Sequence, residues 1–301
     1  MIGGAGAAAG SRAPLAAWWR GARPRTLGAG LVPVVVGTAA AGHALAWRVT
    51  AAALVALGLQ VGVNFANDYF DGVRGVDPPE RLGPPRLTAS GAASPRAVAL
   101  AAGGSFAVAA AAGLALAVAT HPALILPAGA IAIAAALLYS GGPRPYAGLG
   151  LGEASVFVFF GLMATCGSAY VQVERIPVAA WWSAIPVGLL AVAILVANNL
   201  RDIPTDAATG KRTLAVRLGV ERTVLFYRSC LAATFVSVPV GVAAGGLPAW
   251  AMLSLAAVPL AIRPAVAAGR VSGRALIAVL VGTAALQAAF GILLAVGLWA
   301  G

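Results

Sequence analysis

Charged residues are scarce in this chain. Only 10% of its 301 residues are Asp, Glu, Lys or Arg, while 60% are hydrophobic. That usage is far from soluble globular composition and excludes a water-facing surface over most of the fold. Cysteine is scarcer still. Cys166 and Cys230 both fall inside apolar runs, and no Cys-x-x-Cys or Cys/His spacing exists, so disulfide frameworks and zinc sites are set aside. His43 and His121 each stand alone in an outer loop and offer no ligand pattern. The runs lack strand-like alternation and are built from Ala, Leu, Val and Gly, which favours helices over a β-barrel.

What is abundant is apolar length. A spanning helix needs about 20 apolar residues, and nine such runs can be placed, at 26–46, 49–67, 97–119, 121–140, 151–171, 179–199, 224–244, 247–267 and 275–299. The fold expected is an all-α polytopic membrane protein, about nine transmembrane helices around a central cavity. Residues 1–13 are Gly/Ala-rich without the regions of a signal peptide and read as a disordered tail; 14–301 reads as one transmembrane domain. The net charge of +11 comes with a pattern. With the N-terminus in the cytoplasm, 18 of the 20 basic residues fall on the cytoplasmic side, and only Arg48 and Arg175 fall outside it. The positive-inside rule thus accounts for the charge without nucleic acid. The chain is read as a multi-pass protein of the cell membrane, with the bilayer as its environment.

The nine acidic residues are not scattered. Five of them, Asp68, Asp71, Asp77, Asp202 and Asp206, lie in two stretches, NFANDYFDGVRGVD (64–77) and NNLRDIPTD (198–206), both on the cytoplasmic side. A carboxylate deep in a bilayer costs about 2.5–3.5 kcal/mol on insertion scales, so acids clustered beside spans are candidates for function. In helical geometry Asn67 and Asp71 share one face, as do Asn64 and Asp68. Asn198, Asp202 and Asp206 repeat the spacing at i, i+4, i+8. Gly72 and Gly75 should break the first helix, and Pro204 should distort or end the second. Trp18 and Trp19, followed by Arg20, Arg23 and Arg25, read as an interfacial anchor, with Arg23 and Arg25 also able to reach a phosphate. The loop YSGGPRPYAGLGLGE (139–153) brings Tyr139, Arg144 and Tyr146 to the same side. Glu153 at its end reads as an acid complementing a helix N-terminus. The aromatic run VFVFF (156–160) reads as packing or lipid-facing surface.

Carboxylates and amide oxygens beside Arg and Lys suit a hard dication holding phosphate. Mg²⁺ takes one or two carboxylates per ion and completes its shell with substrate phosphate and water. Two clusters therefore suggest two or more Mg²⁺ bridging one diphosphate, with Arg and Lys neutralising it. A diphosphate so held leaves readily from an allylic chain, and the membrane setting makes that chain greasy. Two other readings stand beside this one: acid–base clusters that merely order loops, and an ion-coupled transporter with acids at broken helices.

The two stretches, NDYFDGVRGVD (67–77) and NNLRDIPTDAATGKRTLAVRLG (198–219), resemble the Asp-rich motifs of the UbiA superfamily of intramembrane prenyltransferases. The spacing Asp71-Gly-x-x-Gly-x-Asp77, RLGPPRL (81–87), GARPRTL (21–27) and YSGGPRPYAGLGLGE resemble its menaquinone branch, the 1,4-dihydroxy-2-naphthoate polyprenyltransferases. In the ubiquinone branch an Asp stands four residues after Asp71; here that position is Gly75. The resemblance implies that Asn67, Asp71, Asp202 and Asp206 hold Mg²⁺, with Asp68 and Asp77 completing the site. It implies that Arg74, Arg144, Lys211 and Arg212 grip a polyprenyl diphosphate, with Arg25 and Asn198 nearby. Tyr139 would stabilise the allylic cation or position the acceptor, and Asp77 or Asp68 would take the naphthol proton. The reaction implied is prenylation of 1,4-dihydroxy-2-naphthoate with loss of CO₂ and diphosphate, giving demethylmenaquinone. Another aromatic acceptor, such as homogentisate, is the alternative within the family.

Overall fold

Residues 14–75 and 86–301 are described by a computed structural model; the tail 1–13 and the segment carrying Asp77 lie outside them. The described residues are helical almost throughout, without strands. In order the helices are α1 (Leu15–Ala22), α2 (Gly28–Ala40), α3 (Ala46–Val73), α4 (Pro95–Ala119) and α5 (Pro122–Ser140), then α6 (Gly152–Val173), α7 (Val178–Ala208), α8 (Leu214–Ala243), α9 (Ala249–Ala267) and α10 (Leu276–Ala300). Among the described residues eight helices are long and apolar enough to cross a membrane; the last of these spans counts from Gly273. The protein is a multi-pass membrane protein.

Several expected spans changed shape. The run at 26–46 forms only the 13-residue α2. At 1.5 Å per residue that is about 20 Å, short of a roughly 30 Å hydrocarbon core. A 3₁₀ turn at Pro24–Thr26 precedes it, and Gly42 leaves the helix at φ 64°. α3 instead runs past its expected end to Val73, so Asn64 to Asp71 of the first acidic run are helical, and Gly75 (φ 65°) then turns the chain away. Pro204 does not stop α7, which continues to Ala208. α8 is two helices joined at Gly219, whose φ of 72° only glycine adopts without strain. α9 begins as a 3₁₀ stretch, Ala249–Ala257, and becomes α-helical at Val258 beside Pro259.

α7 is the most enclosed of the spans, with Val187, Leu190 and Ala193 fully buried. It packs against α8, α10, α2 and α6. Small residues permit this closeness where lipid gives no hydrophobic drive for helices to associate. A Cβ on Gly161 of α6 would lie 2.7 Å from Gly188 Cα of α7, so neither position has room for a side chain. Beside Gly161, residues Phe157–Met163 form a π turn inside α6. Away from the motifs, Arg48 donates to Val171 O at 2.8 Å and Ala119 O at 2.9 Å, satisfying the last carbonyls of α6 and α4. There Gln172 Oε1 also accepts from Leu45 N at 2.9 Å.

Candidate active site

The ends of α3 and α7 and the loops after α5 and α7 close one end of a cavity of about 840 Å³. Asn67, Asp71, Asn198, Asp202, Asp206 and Lys211 line that end, with Arg23, Arg74 and Arg144. The walls then become apolar and small, through Ala109, Ala110 and Gly113 of α4 and Ile125 and Gly129 of α5. Leu116 and Ile125 lie near the α4–α5 turn, so the cavity crosses most of the bundle. Phe159, Phe160 and Met163 also line it. Of the aromatic run expected on a packing or lipid face, Phe157 packs against α7 and Val158 is exposed, while Phe159 and Phe160 face the cavity within the π turn, which adds a residue to the helical register.

The first motif separates into distinct roles. Asp71 (3% exposed) accepts from Lys211 Nζ at 3.0 Å and Arg86 Nη2 at 3.2 Å, all on Oδ2. Lys211 thereby ties the second motif's loop to the first motif. Asn67 lines the cavity, and its buried Oδ1 has no hydrogen-bond partner among the described residues. Asp68 departs from the expectation. Its Oδ2 accepts from Leu87 N at 2.8 Å and its Oδ1 from Thr88 N at 2.9 Å, and it is not on the cavity wall. Both oxygens are engaged in holding the chain after Pro85 against α3, so the contacts of Asp68 among the described residues serve the fold. Asn64 similarly donates to Ala22 O at 3.0 Å, holding α1.

The second motif is held by its own helix. Arg201 grips Asp202 with Nε on Oδ1 and Nη2 on Oδ2, both at 2.7 Å, and donates to Asn198 Oδ1 at 2.9 Å. Asn198 Nδ2 also donates to Asp202 Oδ2 at 3.3 Å. Asp206, one turn further, is half-buried on the same cavity.

The remaining expected residues divide. Arg74 lines the cavity, but its guanidinium donates to Ser140 O and Gly142 O, bridging α3 to the end of α5. Arg144 lines the cavity exposed, without a partner among the described residues. Arg25 and Arg212 are exposed and off the cavity wall. Arg25 sits in a 3₁₀ turn that presents Arg23 and Thr26 to the cavity, and of the neighbours Lys211 and Arg212 only Lys211 lines it. Tyr139 lines the cavity edge-on to Tyr146, with ring centroids 5.4 Å apart. Tyr146 donates to Ala135 O at 2.9 Å, and burial pushes its hydroxyl above the ordinary value, so it stays a donor at neutral pH.

Among the described residues no three His, Cys, Asp or Glu side chains form a metal-holding group. The acids share a cavity without converging into a cage. That distribution fits Mg²⁺, which takes few protein ligands and completes its octahedron with phosphate and water. The unpartnered Oδ1 of Asn67 beside Asp71 is the hard oxygen such an ion requires.

A membrane-embedded helical bundle with two acidic helix ends over one apolar cavity defines the class. The chain belongs to the UbiA prenyltransferase family, whose pattern it matches over residues 30–266. It is 47% identical to the 1,4-dihydroxy-2-naphthoate octaprenyltransferase of Mycobacterium tuberculosis, over 89% of this chain and 91% of the relative. It is 37% identical to the Escherichia coli protein of the same name, over 71% and 72%. Its fold matches that of a UbiA homolog from Aeropyrum pernix K1 with a TM-score of 0.69 at 20% identity, covering 91% of this chain and 97% of that one. A UbiA homolog from Archaeoglobus fulgidus bound to GPP and Mg²⁺ matches with a TM-score of 0.58 at 19% identity, covering 92% and 99%.

Proposed function

We propose that this protein transfers a polyprenyl group from a polyprenyl diphosphate to 1,4-dihydroxy-2-naphthoate, releasing diphosphate and CO₂, as a step in menaquinone biosynthesis. The observation that carries the reading is the joining of Asp71, Asp202, Asp206 and Lys211 at one end of a cavity that is otherwise apolar. The polar end takes the diphosphate and the apolar length takes the tail. An ion-coupled transporter loses ground to family membership and to acids placed at helix ends.

Asn67, Asp71, Asp202 and Asp206 would hold two or more Mg²⁺, which would stabilise the charge on the leaving diphosphate. Lys211, Arg23 and Arg144 neutralise the remaining phosphate charge. The allylic C–O bond breaks with its electron pair leaving on the diphosphate. The ring carbon bearing the carboxylate attacks the cation, and loss of CO₂ returns that bond's electrons to the ring. The product is the reduced form of demethylmenaquinone. Tyr139 and Tyr146 present aromatic faces to the cation and the acceptor, and the apolar walls keep water from trapping the cation. Residues 14–301 act as one catalytic domain. The motif end faces the cytoplasm, where 18 of 20 basic residues then lie.

The test is a product assay on detergent-purified protein with Mg²⁺ and a long-chain prenyl diphosphate. 1,4-Dihydroxy-2-naphthoate, homogentisate and 4-hydroxybenzoate are supplied in separate reactions, and lipid products are identified by mass. A demethylmenaquinone mass from the naphthoate alone is expected. Product from another acceptor only would overturn the acceptor assignment, and no product from folded protein would overturn the activity.

A further inference from the structure

One acid belongs to neither motif and is still buried at the site. Glu153, in the first turn of α6, is 5% exposed, and its Oε1 accepts from Asn199 Nδ2 at 2.9 Å. An acid serving only the helix dipole would remain in water, because burying a carboxylate without a cation is costly. Among the described residues Glu153 pairs with no cation; its side-chain partner is the neutral amide of Asn199. Asn199 stands beside Asn198 in the motif and lines the cavity, whereas Glu153 does not.

Glu153 Oε1 accepts from Asn199 Nδ2, so the Asn199 NH₂ group is turned towards Glu153 and its Oδ1 away from it. The amide orientation is thereby fixed. Its Oδ1 and second N–H are left for the cavity, with no protein partner among the described residues. The surroundings suit an aromatic ring. Glu153 follows Gly152, where a Cβ would lie 3.5 Å from both the Tyr139 hydroxyl and Leu195 Cδ2. Leu195 is one turn before Asn199, and Tyr139 and Tyr146 form their edge-to-face pair on the same cavity wall.

We propose that Glu153 is a positioning residue for the acceptor: it locks the Asn199 amide so that Oδ1 accepts the hydroxyl of a hydroxylated aromatic acid resting against Tyr139 and Tyr146. This rests on the prenyl-transfer reading above. It separates the Asn198–Asn199 pair into two duties, Asn198 towards Asp202 and Asn199 towards the acceptor.

Steady-state kinetics with each substrate varied in turn tests it. Glu153→Leu releases the amide, and the acceptor KM should rise about tenfold, the size of one lost hydrogen bond, while the prenyl-diphosphate KM stays within about twofold. Glu153→Gln offers a carbonyl oxygen to Asn199 but can also donate, so the lock is partial and the acceptor KM should fall between those of wild type and Glu153→Leu. Asn199→Ala should reproduce the Glu153→Leu effect, and the double variant should add nothing further. Equilibrium binding of the naphthoate without prenyl diphosphate should weaken in parallel. An unchanged acceptor KM, or an equal rise in both KM values, overturns the proposal. If Glu153→Leu does not fold, Asn199→Ala and Glu153→Gln decide by the same criteria. Wild-type turnover in the same assay separates this outcome from failure of the prenyl-transfer reading, which would show as no product from any variant.

Discussion

The two acidic motifs look alike in the sequence and are built differently in space. Asp71 at the end of α3 is held by residues remote in sequence, Arg86 at a separation of 15 and Lys211 at a separation of 140. Asp202 in α7 is held by the residue next to it, Arg201, through two short bonds. The clasp on the first carboxylate needs separate parts of the chain to meet. The second is arranged on one helix. The assembled motif is thus able to report the state of the fold, while the local one supplies a fixed wall against which it closes.

The largest expected effect removes the carboxylates themselves. Asp71→Ala and Asp202→Ala should each lower turnover by about a thousandfold or more, as loss of preorganised charge at a reacting centre does. Product formation by purified, folded variants is the check, and near-normal activity of either would remove that residue from the site. Next come the partners. Arg201→Met leaves Asp202 buried without its cation and should destabilise the protein by about 3 kcal/mol. Lys211→Met removes a partly exposed cation and should cost about 1 kcal/mol or less, while raising the prenyl-diphosphate KM. Thermal unfolding in detergent measures the first pair of values; equal destabilisation would erase the contrast between local and assembled motifs.

Smaller again is Asp68→Asn. One amide oxygen replaces two carboxylate oxygens, so either Leu87 N or Thr88 N loses its acceptor. About 1 kcal/mol of stability should be lost, with turnover reduced about tenfold at most through the displaced Arg86. A loss as deep as that of Asp71→Ala would make Asp68 a direct ligand. The mildest test lies at the other end of the cavity. Gly113 and Gly129 leave open space, a Cβ on Gly113 meeting only Val55 at 3.8 Å. Gly113→Phe should shift product towards shorter tails with the acceptor KM unchanged, read by competition between prenyl diphosphates of different length.

The helical class, most spans and both motifs were legible because the signals are local. Apolar length marks a span, and carboxylates among apolar residues mark their own exception. The roles within the motifs were not legible. Asp68 and Asp71 sit three residues apart with the same side chain, and only the return of Leu87 and Thr88 to α3 assigns one to backbone amides. Arg86 and Arg201 were hidden among nineteen arginines, all but two of which the membrane already explained. The dipeptide Arg201-Asp202 was a visible hint of the clasp. The inward turn of Phe159 and Phe160 had no signal, since a π turn has no composition of its own.

That π turn also settles a problem of phase. α6 is seated at both ends, by the Glu153–Asn199 bond at one and by Gln172 and the Val171 carbonyl at the other. A continuous α-helix advances about 100° per residue, so two distant anchors agree only at certain lengths. The wider turn at Phe157–Met163 absorbs one residue of mismatch. Shortening it by one residue would leave the chain correctly composed and incorrectly indexed, with one anchor rotated out of reach.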